Sequence, residues 1–96
     1  MSDTRMMRGT LVKFADGESL RIATIPFTDE GFAIARSLDE LAKVEGGNAK
    51  RMKALLDVCF EAVRLNYPHI SRKELSQKLD LESAYAVIAA LKARNA

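Results

Sequence analysis

A mainly α fold, an N-terminal β-hairpin followed by a compact bundle of about four helices, is what this sequence predicts, on three observations. Apolar and polar residues alternate on both sides of Asp16-Gly17. An apolar stripe of 3.6-residue period runs from Met52 to Val63. Beyond it Pro68 interrupts the chain, and helix caps follow at Ser71 and Asp80. We expect one domain over residues 1–96, with the hairpin in 8–26 and the helical part in 28–94.

The hairpin rests on Asp16-Gly17, a dipeptide that tolerates the positive φ angles of a tight turn. Leu11, Val12 and Phe14 precede it and Leu20, Ile22 and Ile25 follow, so strands are expected near Thr10 to Ala15 and Ser19 to Ile25. A two-stranded ribbon is marginal alone, which requires its Leu20 and Ile22 face to lie on the helices.

Pro26 ends the second strand, and Thr28 is placed to cap a helix whose first turn holds Asp29 and Glu30. Ile34, Leu38, Leu41 and Ala42 recur at helical spacing until Gly46-Gly47, giving a helix of about Asp29 to Val44. Asn48 is the expected cap of the next helix, Ala49 to Asn66, with Met52, Leu55, Leu56, Cys59, Phe60 and Val63 inward.

Pro68 has no backbone donor and restricts Tyr67 to extended angles, so that helix must finish by about Asn66. Ser71 and Glu74 then form a capping box, with Ile70 placed to staple against Leu75, for a short helix of Arg72 to Leu79. Asp80 opens a last helix, through about Lys92, whose inner stripe reads Leu81, Ala84, Tyr85, Ile88 and Leu91.

Composition narrows the function. The chain has 96 residues, and a domain of this size buries only roughly 60 to 65% of the surface its unfolded chain exposes, so homo-oligomerisation would be a natural supplement. With 48% apolar and 29% charged residues it is an ordinary globular protein. A net charge of +2, from 15 basic and 13 acidic residues, does not announce a polyanion partner. The single cysteine, Cys59, fits a reducing compartment, and the sequence holds neither a signal peptide nor an apolar run of roughly 18 residues. A cytoplasmic protein with no membrane partner is expected.

Catalysis finds little support. His69 is the only histidine and stands beside Pro68 in a connection, while Cys59 lies on the apolar stripe of a helix. Asp39 with Glu40, and Asp57 with Glu61, read as solvated helix faces, and Gly46-Gly47 lacks the Lys and Ser/Thr of a phosphate loop. No catalytic residue, cofactor or metal ligand is expected, and the chain is read as a non-enzyme. The basic residues Lys43, Lys50, Arg51 and Lys53 around Gly46-Gly47, and Arg72 with Lys73, read as solvated helix ends before they read as nucleic-acid contacts.

Two resemblances remain. Ser71 to Ile88 resembles the first helix and turn of bacterial helix-turn-helix repressors, which implies a small DNA-binding regulator. The helix that would enter the major groove departs from that pattern: Glu82 to Ala90 holds no Arg, Asn or Gln to pair with base edges. Nucleic acid is therefore the less favoured partner.

The segment Leu65 to Leu91 is similar to the C-terminal half of tail assembly chaperones of long-tailed bacteriophages and prophages. In that family a helix ends in an Asn-Tyr-Pro break, here Asn66, Tyr67 and Pro68. A hydrophobic residue, a Ser/Thr cap with Glu and a Leu-Asp-Leu step follow, here Ile70, Ser71, Glu74, Leu79, Asp80 and Leu81. The N-terminal hairpin and Ile25-Pro26-Phe27 are compatible with it. The resemblance implies a non-enzymatic factor of virion morphogenesis in the host cytoplasm, which binds the tape measure protein, recruits tail tube subunits and is absent from the finished tail. On this protein-binding reading, Tyr67, Ile70, Tyr85 and Val87 are the candidate partner contacts: Tyr67 sits at a break, and Val87 falls off the expected inner stripe of the last helix.

Overall fold

The computed structural model describes residues 8–93 as a two-stranded antiparallel ribbon followed by four helices. The elements are β1 (Thr10–Lys13), β2 (Ser19–Ile22), α1 (Asp29–Lys43), α2 (Asn48–Arg64), α3 (Arg72–Lys78) and α4 (Leu81–Leu91). Hairpin and helical bundle thus follow the expected order.

Register in the ribbon pairs Thr10 with Ile22, Leu11 with Arg21, Val12 with Leu20 and Lys13 with Ser19. The turn is a three-residue loop: Gly17 N–H donates to the Phe14 carbonyl at 3.0 Å and Phe14 N–H to the Glu18 carbonyl at 2.8 Å. Gly17 has φ +92°, an angle that an L side chain resists, which is why a glycine closes this loop. Both strands are shorter than the alternation suggested. Ala15 N–H leaves the ladder to meet the Lys78 carbonyl at 2.8 Å, and Gly9, at φ +112°, bends the chain before Thr10, so Ala23 to Ile25 face no partner strand.

Each helix start but one is capped as its sequence foretells. Thr28 Oγ1 accepts Gly31 N–H at 3.2 Å, and Phe27 meets Phe32 edge-on, ring centroids 6.2 Å apart, as the staple across that cap. Ser71 Oγ accepts Glu74 N–H at 3.0 Å while Glu74 Oε1 accepts Ser71 N–H at 2.8 Å. Asp80 and Ser83 repeat the arrangement at 2.8 and 2.9 Å. The exception is α2: Gly47 is its cap, with no side-chain bond, and Asn48 is its first residue. Gly46 makes the turn with φ +108°, leaving Gly47 extended one position ahead of the residue expected to cap.

The core sits between the ribbon and α2, which packs on α1, α3, α4 and β2. Contact on several sides rotates and widens the buried face of α2: Val58 and Ala62 join Leu55, Cys59 and Val63, while Leu56 and Phe60 are half-buried and Met52 is exposed. A similar phase shift affects α4. Ser83, Ala84, Val87, Ala90 and Leu91 are buried, and Leu81 and Tyr85, expected inward, are exposed. The helix is apolar on most sides, and its small residues let β1, β2 and α2 approach closely, so packing rather than pattern selects the face.

Candidate functional site

The four candidate contacts separate in the structure. Val87 is 0% exposed, so the expectation that it meets a partner is corrected: α4 turns it into the core between α2 and the ribbon. Ile70 is half-buried against the core, where its position ahead of the Ser71 cap had placed it.

Tyr67 is half-buried too, and its polar end is engaged within the chain. Its hydroxyl accepts Arg21 N–H at 2.9 Å, while Asn66 Nδ2 donates to the Arg21 carbonyl at 2.8 Å and to the Arg8 carbonyl at 3.0 Å. Asn66 and Tyr67 thus stand where a third strand would, satisfying both backbone groups of Arg21 on the outer edge of β2. Leu65 caps α2, and Asn66 and Tyr67 N–H still reach the Val63 carbonyl, at 3.2 and 3.0 Å. The helix therefore finishes two residues earlier than expected, freeing the Asn66 side chain for the ribbon.

Tyr85 alone of the four stays open, 47% exposed, one turn beyond Leu81 on the same face of α4. Leu81 in turn borders an apolar groove of about 440 Å³ between α2, α3 and the start of α4. Met52, Leu56, Leu79 and Ala84 line it, together with the charged Lys53, Arg72 and Asp80. Met52 and Leu81 were missed as surface residues because both read as members of inward stripes. What exposes them is position: Leu81 is the first residue of α4 and Met52 lies one turn into α2, near helix starts where neighbouring elements give less cover.

Electrostatics around this groove are those of a structural surface. Arg72 pairs with Asp57 and sets its guanidinium 5.4 Å from the centre of the Phe60 ring, and Arg64 stands at the same distance from that ring. A cation that a helix-turn-helix would offer to phosphate is thereby engaged on α2. α3 and α4 each anchor on α2 rather than on one another, and outward α4 shows Leu81, Glu82, Tyr85 and Ala89.

Cys59 is fully buried, its thiol donating weakly to the Ala84 carbonyl at 3.7 Å, and burial pushes its pKa up to about 12. A thiol held protonated in this way packs and does not attack. His69 is exposed in the α2–α3 connection. No three metal-binding side chains gather among the described residues, and no helix among them is long and apolar enough to cross a membrane.

The geometry thus defines a class, a ribbon-and-helix module with an apolar groove at one end of α4. Compared with known proteins, the chain matches no protein family, no curated protein and no solved structure.

Proposed function

We propose that this chain is a non-enzymatic tail assembly chaperone of a long-tailed bacteriophage or prophage, acting in the host cytoplasm to hold the tape measure protein and help recruit tail tube subunits. The observation that carries the reading is the apolar groove between α2, α3 and α4, open at Met52 and Leu81, with Tyr85 beside it. A groove with an apolar floor suits the apolar face of an amphipathic helix. The Asn66-Tyr67-Pro68 break, the discriminating piece of the family resemblance, ends α2 and latches β2 in this fold.

Co-expression with the tape measure protein of the same locus tests the proposal. A stable complex is expected, weakened at least about tenfold by Met52→Asp or Leu81→Asp, since loss of a buried apolar anchor at an interface costs about 2 kcal/mol or more. Absence of a complex overturns it. Salt-dependent binding of duplex DNA, weakened by Arg72→Glu, would put a helix-turn-helix regulator in its place.

A further inference from the structure

We infer that the outer edge of β1 is a second docking surface, which takes an extended strand from a partner protein and seats it on the alanine face of α4. The inference concerns the flank of α4 away from the groove described above and holds whichever protein supplies the strand.

Backbone direction is the first ground. In an antiparallel pair, residues alternate between those bonded across the ladder and those whose N–H and C=O point outward. Arg21 points outward, to Asn66 and Tyr67, so its partner Leu11 points outward on the opposite edge, and Lys13 does the same. No described residue bonds the N–H or C=O of Leu11 or Lys13. On the outer edge of β2 the groups of Arg21 are met by side chains, whereas on β1 neither Leu11 nor Lys13 is met by any described residue.

The second ground is the floor beside that edge. A groove of about 690 Å³ runs between β1 and α4, with Glu82, Ala86, Ala89 and Ala93 along its helical side. Alanines leave room for the side chains of a strand laid next to β1, and Leu11, 55% exposed, offers apolar contact on the other face of the sheet.

Charge and shape select the occupant. Lys13 shares the outer face of the ribbon with Leu11, so the strand accepted is one with an acidic residue opposite Lys13 and small apolar residues toward α4. A second copy fits poorly. Its β1 would bring another Lys13 to the seam, and two-fold pairing of the edges would set its own α4 on the same side of the sheet, contending for the floor.

Short capped peptides in which Ala and Val alternate with Glu, and a matched set with Lys for Glu, test the inference by amide-resolved NMR titration of the full chain. Shifts at Leu11, Lys13, Ala86 and Ala89 are expected, with slowed hydrogen exchange at the Leu11 and Lys13 amides. The Glu set should bind about two- to fivefold tighter than the Lys set, an order that Lys13→Glu reverses. Leu11→Pro removes an outward donor without touching the ladder and should weaken binding about tenfold. Ala89→Leu, which fills the floor from an exposed helical position, should do the same and serves if the proline variant fails to fold. Concentration-dependent protection of the Leu11 and Lys13 amides without peptide would show a second copy instead. Shifts centred on Met52 and Leu81, or unchanged spectra with both sets, would overturn the strand-accepting edge.

Discussion

The Tyr67 hydroxyl receives the backbone N–H of Arg21 at 2.9 Å across a sequence separation of 46 residues. With Asn66 on the adjacent carbonyl, this contact converts a helix terminus into the third member of a two-stranded sheet. Tyr67→Phe should cost about 0.5 to 1.5 kcal/mol, and Asn66→Ala, which strips a donor from two carbonyls, about 1 to 2 kcal/mol. Denaturant unfolding measures both. Amide exchange at Arg21 should quicken selectively in Tyr67→Phe; an unchanged Arg21 rate would show that the bond is not a determinant of the ribbon.

Val87 and Tyr85 exchange the roles their positions suggest. Val87→Ala, opening a cavity in the core, should destabilise by about 2 kcal/mol, whereas Tyr85→Ala should stay within about 0.5 kcal/mol. The reverse order in thermal melts would mean that α4 is rotated about its axis.

Gly31 occupies the first turn of α1, where an added Cβ would stand 1.7 Å from the Pro26 carbonyl oxygen. Gly31→Ala gains up to about 1 kcal/mol of helix propensity and loses more to the forced displacement, for a net cost of about 1 to 2 kcal/mol. A variant as stable as the parent would show that the Pro26 turn yields without strain.

Acid should loosen the two capping boxes together. Hydrogen bonds from the Ser71 backbone and hydroxyl hold the Glu74 carboxyl below its ordinary value, and those from Ser83 do so for Asp80. The Lys78 ammonium, then the Glu18 N–H, lowers Asp16. Carboxyls depressed in the folded state add stability that is complete above their unfolded values, near pH 4, and is lost as pH falls through the folded ones. The melting temperature should therefore hold level from about pH 7 to 5 and drop below about pH 4, less steeply in Glu74→Gln/Asp80→Asn. Equal slopes in variant and parent would assign acid unfolding to other groups.

Ser71→Ala should cost about 0.5 to 2 kcal/mol through its lost cap. An unaltered melting temperature would move the start of α3.

Much of the architecture was legible because its signals are local. Thr28, Ser71 and Asp80 act on amides three residues away, and Asp16-Gly17 closes a loop of three, so neighbours in sequence carry the whole effect. The phase of α4 was not legible: in LESAYAVIAAL apolar residues lie on nearly every side, and only β1 and α2 choose between Val87 and Tyr85. The open groove was hidden for the same reason, since Met52 and Leu81 differ from core residues only in what fails to cover them. Asn66 and Tyr67 were readable as the end of a helix but not as a latch, because their partner lies 45 and 46 residues earlier.

That separation sets an order of events at the ribosome. The ribbon is made first, yet the groups that hold Arg21 leave the tunnel 45 residues later, an interval of about 2 to 9 s at ordinary rates of synthesis. The turn waits longer still, for Lys78 to meet Ala15, Asp16 and Glu18. Translation therefore delivers the beginning of this protein unfinished and completes it from the end, and a chain stopped after α2 would carry a hairpin that packs on α2 without the latch on Arg21 or the tie to Lys78.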